Sequence, residues 1–382
     1  MKTIRFGIIG AGMMGHEFAS AVARWCHMLD VDFRPEIVAV ATRSASPFDW
    51  FRAHFSSIKQ YTHDYHELIA NDEVDAVYAA VPHHLHKEVC CAALTARKHL
   101  LAEKPLGIDM IANAAILNAW KECPDVLLRV ASQWAFFPGA QRVCDAIERG
   151  AFGRIIEVNT GFLHSGDLDP NRPMNWKRQI EFNGEYGVLG DLGIHACFIP
   201  FRARCLPRNV RAILSKIVSE RPNASGGRSP CLTWDNATLL CEAKDNADGT
   251  RFPLTLKAHR IAPGERNSWY IEVYGTRASA RFSTRDPKGL EWLDYTGGEQ
   301  TWGRIQTGYE TVFRTITGPN FEFGATDALL QMVVAFLFEL VRGAPPCKFA
   351  GCMRPEETAV AHRLFTAALK SHANSTVEPV EA

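Results

Sequence analysis

Hydrophobic and polar positions follow a repeating plan over the first third of the chain. Apolar runs typical of buried strands lie at 3–10, 36–42, 74–82, 99–104 and 125–134. Between these runs, apolar residues recur at helical spacing, as at 13–25 and 86–96. Strands that alternate with helices indicate a parallel sheet covered on both faces. The pattern therefore predicts an α/β domain over residues 1–135.

A different pattern follows residue 136. Segments of alternating apolar and polar residues lie at 154–164, 210–220, 237–245, 252–262, 268–275 and 278–285. Closely spaced strands of this kind indicate an antiparallel sheet. We predict an α+β domain over 136–350 with a large open, mainly antiparallel sheet. Helical segments at 325–343 and 355–372 close the chain, and we expect the second to pack back on the first domain.

The composition excludes several classes of protein. The 382 residues are 47% hydrophobic and 22% charged, and Lys+Arg and Asp+Glu both total 42, so neither nucleic acid nor a charged tail is indicated. Apolar stretches are shorter than the ~20 residues of a membrane span, and the N-terminal run leads into a glycine motif rather than a cleavage site. The 11 cysteines lack metal-ligand spacing, so we expect reduced thiols, a cytoplasmic protein and no metal site.

The glycine motif GAGMMG follows the first predicted strand and opens the first helix. Gly10, Gly12 and Gly15 have G-x-G-x-x-G spacing, with Met13 and Met14 between the last two. In this context the glycines permit a tight turn, close approach of a pyrophosphate and close helix packing. The helix N-terminus adds N–H donors. The motif predicts dinucleotide binding, and a purely structural turn is the alternative.

The end of the second predicted strand bears on the choice of cofactor. An acidic residue there would bind the ribose hydroxyls of NAD, but the strand ends in Thr42, Arg43 and Ser44. Asp30 and Asp32 precede the strand and are expected in a loop. Arg43 is suited to a 2′-phosphate, with hydroxyl groups beside it, which favours NADP over NAD. The alternative is a solvated surface arginine.

Two further features suggest chemistry. Lys104 ends the fourth predicted strand, and ligands of doubly wound sheets bind outside the carboxyl ends of strands. The alternative is a lysine whose stem reaches from a strand end to water. Asp191 and His195 are spaced i,i+4, so a helix would place both on one face. Such a pair is also common as a helix cap or a surface feature.

Three blocks together resemble the Gfo/Idh/MocA family of oxidoreductases, related to glucose–fructose oxidoreductase and inositol dehydrogenase. They are FGIIGAGMMG, VPHHLHKEVCCAALTARKHLLAEKPLG and WKRQIEFNGEYGVLGDLGIH. The second is similar to the family's EKP block and the third to its D-x-G-x-H block. The resemblance extends over nearly the whole chain. It implies a Rossmann dinucleotide-binding domain followed by a substrate-binding and oligomerisation domain.

The resemblance assigns site residues. It implies that Lys104, Asp191 and His195 are catalytic, and that Pro82, His86, Glu103 and Lys104 join the glycine motif and the 42–44 segment at the cofactor. Lys104, Asp191 and His195, with Trp176 and Arg178, are expected at the substrate. Further candidates for polar or stacking contacts are Lys177, Asn183, Trp134 and His164. The alternative for Trp176 is a place in the core or at a hinge.

This sequence departs from the family pattern at several positions. His83 stands where the family commonly has asparagine, and Asn183 and Glu185 interrupt its glycine triplet. Phe198 stands where many members have aspartate, and QWAFFP lacks a usual arginine. The departures lie among the expected substrate contacts, whereas the lysine, aspartate and histidine are present.

The expected reaction is hydride transfer between a nicotinamide cofactor and a ring hydroxyl or ketone of a sugar, glycoside or cyclitol. His195 is the best candidate for the general base, because its unperturbed pKa lies near neutrality. Lys104 would stabilise alkoxide character, and Asp191 would orient His195 or contact the substrate. The alternative is a non-catalytic sensor on the same fold. We expect a homodimer or homotetramer built on residues 210–300.

Overall fold

The computed structural model describes residues 1–244, 249–307, 311–318 and 323–380. The strands in these ranges are β1 (Lys2–Ile9), β2 (Phe33–Ala41), β3 (Gln60–Thr62), β4 (Ala76–Ala79), β5 (His99–Glu103), β6 (Leu128–Ala131), β7 (Ile155–Leu163), β8 (Pro207–Ser215), β9 (Glu220–Pro222), β10 (Arg228–Pro230), β11 (Asn236–Lys244), β12 (Arg251–His259), β13 (Ser268–Gly275), β14 (Ala278–Ser283), β15 (Gly289–Asp294), β16 (Gly303–Gln306) and β17 (Glu378–Pro379).

The α-helices of the same ranges are α1 (Met13–Ala23), α2 (Ser46–His54), α3 (Tyr65–Ile69), α4 (His86–Thr95), α5 (Met110–Lys121), α6 (Pro138–Glu148), α7 (Ile180–Asn183), α8 (Ile194–Arg202), α9 (Ala325–Arg342) and α10 (Pro355–Asn374). Short 3-10 turns lie at Arg24–His27, His83–Leu85, Gln133–Phe136 and Trp176–Arg178. A π-helical turn, Leu189–Gly193, leads directly into α8.

The described residues divide into two compact units. The first comprises Met1–Gly107, Ile111–Phe136 and the described part of 310–356. Its strands form a parallel sheet in the order β3-β2-β1-β4-β5-β6. The central strands are buried on both faces, which explains their nearly continuous apolar sequence. Phe6 of β1 packs against Phe18 of α1, with ring centroids 5.1 Å apart, and against Phe336 of α9, at 6.1 Å.

The second unit comprises Ile108–Met110 and the described parts of 137–309 and 357–382. Its large described sheet has the order β16-β15-β14-β13-β7-β12-β11-β8-β17, in which β7 and β12 pair in parallel and the other neighbours are antiparallel. Helices α6 and α8 contact this sheet. Along β11, burial alternates residue by residue, as the sequence pattern requires of a sheet with one packed face. The predicted fold class is thereby confirmed.

The two C-terminal helices differ from expectation. Helix α9 belongs to the first unit, whereas α10 belongs to the second unit from Glu357 onward. In the second unit, Thr366 of α10 hydrogen-bonds Tyr186 with an oxygen–oxygen distance of 2.7 Å, and Ser371 accepts a bond from the Ala212 amide at 2.9 Å. The apolar spacing of α10 predicted a packed helix correctly but carried no information about which sheet it packs on.

Short elements also escaped the sequence pattern. Strand β3 has three residues and α3 has five, which is too short for a periodicity to be visible. Strand β10, in the polar segment 223–230, also has three residues and pairs with β9. Over the described residues, no helix is long and apolar enough to cross a membrane.

Candidate active site

The glycine loop joins β1 to α1 at the carboxyl edge of the first unit's sheet. Gly10 has φ +99°, and a Cβ there would lie 2.2 Å from the carbonyl oxygen of Ala80. A Cβ on Gly15 would lie 2.3 Å from the carbonyl oxygen of Gly10. Both positions therefore require glycine for packing within the chain.

Gly12 differs from the other two glycines of this loop. It is the N-cap of α1, and a Cβ there would meet no atom of the chain within 4 Å. The open space lies at a helix N-terminus that carries no side-chain cap. Backbone N–H groups and the helix dipole favour an anion at such a place. The loop thus fits the pyrophosphate of a dinucleotide. Met13, next in sequence, is exposed, and Met14 is half-buried.

The residues after β2 form the neighbouring part of this edge. The Thr42 amide donates to the carbonyl of Thr62 at 3.1 Å, and a ring nitrogen of His63 donates to the carbonyl of Thr42 at 2.8 Å. These bonds fix the backbone just before Arg43 and Ser44, whose side chains are exposed. Arg43 makes no hydrogen bond or ion pair with any residue that the structure describes.

Asp30 and Asp32 precede β2, as expected, and are engaged there. Asp30 forms an ion pair with Arg314 at 2.7 Å, and Asp32 forms one with Arg342 at 2.6 Å. The ion pair with Arg342 holds the pKa of Asp32 below its ordinary value. Neither carboxylate therefore takes the place of the acidic residue that follows the second strand in NAD-binding domains.

A buried histidine connects the ends of β4 and β5. The Nδ1 atom of His86 accepts from the Gly107 amide at 3.3 Å, so its Nε2 carries the proton and donates to the carbonyl of Val81 at 3.0 Å. The first loop contains Pro82 and the second contains Lys104. His86 therefore holds two loops of the predicted cofactor site in register.

Lys104 directly follows β5 and is joined to Pro105 by a cis peptide bond. The chain then turns through Leu106 and Gly107, which both have positive φ, at 62° and 118°. A Cβ on Gly107 would lie 2.7 Å from the Asn113 amide nitrogen, so only glycine fits. The Asn113 side chain donates to the Leu106 carbonyl at 2.8 Å. Lys104, which is half-buried, thus lies in a backbone turn held by side-chain bonds.

Glu103, the last residue of β5, is buried. Its carboxylate accepts a 2.6 Å hydrogen bond from the Tyr78 hydroxyl, and the Tyr78 ring stacks on Phe18 at 4.2 Å. Burial, together with Glu103, raises the pKa of Tyr78 and keeps the phenol a donor. These contacts connect β5, β4 and α1. The role predicted for Glu103 at the cofactor stays a prediction.

In the second unit, Asp191 lies in the π-helical turn and is buried. Both carboxylate oxygens lie 3.1 Å from the Lys177 ammonium, and Oδ2 also accepts from the Arg260 guanidinium at 3.1 Å. Lys177 comes from the 3-10 turn before α7, and Arg260 directly follows β12. Two cations from distant segments therefore compensate one buried carboxylate, which otherwise would be costly to desolvate.

His195, in the first turn of α8, is also buried. Its ring lies 5.5 Å from the Phe162 ring of β7, and its backbone carbonyl accepts from the Trp269 indole at 3.0 Å. The π-helical turn is wider than an α-turn, so the i,i+4 argument for a shared face does not strictly apply between Asp191 and His195. The backbone of His195 is fixed by the sheet through Trp269.

Arg178 differs from expectation. Its side chain is fully buried and paired with the carboxylates of Asp235 and Asp167. Asp235 also accepts from the amides of Ile217 and Val218, at 2.6 and 3.0 Å. A guanidinium so enclosed has no surface to offer a substrate. We therefore correct the predicted substrate contact: Arg178 ties together loops of the second unit.

The other candidates of the second unit occupy varied places. Trp176 is half-buried, with the Lys177 ammonium 5.8 Å from its ring centre. Asn183 is buried at the end of α7, and Glu185 is exposed. Burial lowers the pKa of His164, whose Nδ1 accepts from the Gly166 amide at 3.0 Å.

Among the described residues, no cluster of His, Cys, Asp and Glu side chains could hold a metal ion.

Two residues of this region were not singled out by sequence reasoning. Arg260 lies within the apolar segment 252–262, and Asp235 lies between Trp234 and Asn236. A charged residue inside a predicted strand end is the only local signal for Arg260. Its partners are 69 and 83 positions away in sequence. Spacing analysis cannot detect such a contact.

Comparison with known proteins agrees with this architecture. The model of an oxidoreductase family with an NAD-binding Rossmann fold matches residues 4–129, and the model of the GFO/IDH/MocA C-terminal domain matches residues 140–281. The chain therefore belongs to the GFO/IDH/MocA oxidoreductase family, as its sequence blocks predicted.

The individual proteins that resemble this chain share only a modest sequence identity with it. Levoglucosan dehydrogenase of Pseudarthrobacter phenanthrenivorans is 27% identical over 351 residues, covering 85% of this chain and 83% of the relative. The dTDP-3,4-didehydro-2,6-dideoxy-alpha-D-glucose 3-reductase of Actinomadura kijaniata is 30% identical over 200 residues, covering 52% and 54%. A solved structure of levoglucosan dehydrogenase in complex with NADH has a TM-score of 0.87 at 23% identity, with complete coverage of both chains. That structural likeness supports the fold.

Proposed function

We propose that the protein is an NAD(P)-dependent dehydrogenase or reductase acting on a ring hydroxyl or ketone of a sugar, glycoside or cyclitol. The carrying observation is the carboxyl edge of the first unit's sheet. There the open space at Gly12, at the N-terminus of α1, lies on the same edge as Lys104 at the end of β5. Ligands of open parallel sheets bind at this edge. Membership of an oxidoreductase family supports the same conclusion.

The proposed domain roles follow the two units. The first unit binds the dinucleotide through Gly10, Gly12, Met13, Met14 and Gly15. It also uses the 42–44 segment, Pro82 and Lys104, while His86 and Glu103 support these loops. The second unit supplies Asp191 and His195. When bound, the nicotinamide ring accepts or supplies the hydride.

The chain's own groups handle the proton and the developing charge. His195 takes the proton of the reacting hydroxyl during oxidation and returns it during reduction, because an imidazole exchanges protons near neutral pH. Lys104 stabilises negative charge on the substrate oxygen. Asp191 accepts a hydrogen bond from a substrate hydroxyl and so helps to orient the substrate.

Support for the substrate class comes from the relatives and from this chain. One relative is a levoglucosan dehydrogenase, and another is a reductase of a dTDP-linked sugar. Trp176 provides a half-exposed aromatic face beside the Lys177 ammonium, a combination suited to a polyhydroxylated ring. These names give no support to the alternative of a non-catalytic sensor.

We further propose that NADP(H) binds more tightly than NAD(H). Support comes from Arg43 and Ser44, which are exposed directly after β2, and from the position of Asp30 and Asp32, whose carboxylates are paired elsewhere. A cationic, hydroxyl-bearing segment suits a 2′-phosphate. We also propose a cytoplasmic location, because all 11 cysteines are free thiols.

The assembly is proposed to be a homodimer or homotetramer that pairs the large sheets of the second units. Ile213 of β8 and Leu240 of β11 are 61% and 53% exposed on adjacent strands. Large apolar side chains on an open sheet face favour burial against another copy. Light scattering at micromolar concentration should report a multimer, and Leu240→Glu should weaken it. A stable monomer would contradict this assembly.

The decisive experiment is a panel of sugars, glycosides and cyclitols with each cofactor, followed by absorbance of the reduced nicotinamide. At least one compound should be oxidised by the wild type and not by His195→Ala. Cofactor binding is measured in parallel by fluorescence. Tight cofactor binding without turnover of any ring alcohol, or of the corresponding ketones in reverse, would overturn the proposed activity in favour of a sensor.

A further inference from the structure

In the second unit, two cations that differ in their exposure contact one buried carboxylate, that of Asp191. Asp191 has 2% of its side chain exposed. The Arg260 side chain that binds it is fully buried, whereas the Lys177 side chain is 38% exposed. One cation is thus sealed within the fold and the other reaches Asp191 from the surface. The two contacts have the same length, 3.1 Å, so distance alone does not separate their roles.

The guanidinium of Arg260 is held on several sides. It donates to the carbonyl of Lys177 at 3.0 Å and to the carbonyl of Gly187 at 3.5 Å, and its own amide donates to the carbonyl of Asp235 at 2.9 Å. The Gly187 carbonyl also accepts from the Asp191 amide at 3.2 Å. Arg260 therefore fixes both the charge beside Asp191 and the backbone turn on which Asp191 stands.

We propose that Arg260 is a positioning residue for the reaction, holding Asp191 as an oriented carboxylate whether or not Lys177 stays beside it. The proposal rests on the proposed function, because Asp191 acts on the substrate there. A guanidinium remains charged at any pH the enzyme meets, which a lysine ammonium does not guarantee. Lys177 is then able to exchange Asp191 for a substrate oxygen without leaving a buried carboxylate uncompensated.

The charges around Asp191 are mixed. Lys177 contacts it from the 3-10 turn and Arg260 from the end of β12. His164, directly after β7, interacts with it electrostatically, and His195 follows it in sequence on α8. Arg260 itself interacts electrostatically with Arg178, Asp167 and Asp235. Burial lowers the pKa of Arg260, and the attraction of Asp191 opposes that effect. Removing Arg260 takes one cation away from Asp191, and burial then favours the protonated carboxyl.

The test is the pH dependence of kcat/KM, measured with a substrate from the panel for wild type, Arg260→Met, Arg260→Lys and Lys177→Met. In Arg260→Met the acid limb should move upward by about 1–3 pH units and become steeper, because a second group must now lose its proton. Arg260→Lys should restore most of the wild-type limb. Lys177→Met should raise KM and move the limb less than Arg260→Met does.

Arg251→Met provides the matched control. Arg251 begins the same strand, and its side chain is 65% exposed in an ion pair with Glu242. The Arg251→Met variant should have the wild-type pH dependence of kcat/KM. A purely structural role for Arg260 predicts lower stability with a wild-type profile in Arg260→Met, and that result would overturn the proposal. So would a larger displacement in Lys177→Met.

A second readout does not depend on activity. Selective carbon-13 labelling of aspartate, with Asp191→Asn for assignment, reports the titration of the Asp191 carboxyl by NMR. It should titrate at higher pH in Arg260→Met than in wild type, even if no substrate is found. This arm separates failure of the positioning role from failure of the proposed reaction.

The double variant Asp191→Asn/Arg260→Met keeps the proposal testable if Arg260→Met does not fold. Loss of Arg260 alone leaves the buried Asp191 carboxylate with less compensating charge, whereas loss of both charged groups does not. The double variant should therefore unfold at a higher temperature than Arg260→Met. Equal or lower stability of the double variant would overturn the coupling between Asp191 and Arg260.

Discussion

The glycine loop of the first unit and the region around Asp191 in the second unit are built by different means. The glycine loop is formed mainly by main-chain atoms: Gly10 and Gly15 let backbone segments approach closely, and Gly12 leaves open space at a helix N-terminus. At Asp191, charged side chains from the 3-10 turn, the π-helical turn and the end of β12 converge.

The difference between the two regions concerns sequence distance. The glycines that form the first region lie within six residues of one another, so their spacing is visible in the sequence. The cations at Asp191 are 14 and 69 positions away from it. A backbone site can thus be encoded locally, whereas a buried charge site depends on contacts that only folding brings together.

The largest expected effect is on turnover, and it distinguishes the chemical step from cofactor binding. His195→Ala should lower turnover by about 10²–10⁴-fold, the usual contribution of a general acid–base group, with cofactor affinity unchanged. Lys104→Ala should be at least as damaging. The double variant should lose less than the product of the two factors, because both groups act on one proton transfer. Steady-state kinetics on folded variants decides; near wild-type turnover in either single variant would contradict the mechanism.

The second largest expected effect is on cofactor affinity. It tests whether the local sequence at the end of β2 suffices to select NADP(H) over NAD(H). Arg43→Ala should weaken NADP(H) binding by about 10–100-fold, the loss of a charged hydrogen bond worth about 1.5–3 kcal/mol, and leave NAD(H) binding nearly unchanged. Arg34→Ala, at the other end of the same strand, is the matched control. Equal dissociation constants for both cofactors in the wild type would exclude the proposed preference.

Two single-methyl substitutions sharpen the distinction within the glycine loop. Gly15→Ala should destabilise the protein by about 1–3 kcal/mol, since its Cβ would lie 2.3 Å from a backbone oxygen. Gly12→Ala should leave stability nearly unchanged, because its Cβ meets no chain atom, and weaken cofactor binding instead. Denaturant unfolding and cofactor titration measure the two effects. Equal destabilisation by both substitutions would show that Gly12 is also required by packing.

The smallest expected effect is on the pH dependence of stability, which can be compared between the units at one histidine in each. Burial lowers the pKa of His99 in the first unit and of His164 in the second. In each, Nδ1 accepts a backbone N–H bond that protonation would break, from Leu127 and Gly166 respectively. Because the unfolded histidines titrate near pH 6.5, the unfolded state binds more protons below that pH.

The stability contributed by these histidines is therefore present above about pH 6.5 and is lost as the pH falls through the lower folded values. His99→Asn and His164→Asn keep an acceptor without a titrating ring. Each should reduce the fall in unfolding free energy between pH 7 and pH 5, measured by denaturant titration. An unchanged fall in both variants would contradict the assigned cause.

Much of the first unit could be predicted from the sequence alone. The alternation of apolar runs and helical spacing predicted β1, β2, β4, β5 and β6, and the glycine spacing predicted the loop that joins β1 to α1. Such patterns are visible because strand and helix periodicity and turn chemistry act between residues close in sequence. The family blocks also led to Lys104, Asp191 and His195, whose roles stay proposals.

The tertiary structure alone decided what surrounds these residues. It assigned α10 from Glu357 onward to the second unit, enclosed Arg178 between Asp167 and Asp235, and brought Arg260 to Asp191. A helix has the same apolar spacing whatever it packs on, and an arginine has the same side chain whether it meets solvent or a carboxylate. Burial and charge pairing are properties of the whole fold, so they depend on contacts between segments far apart in the chain.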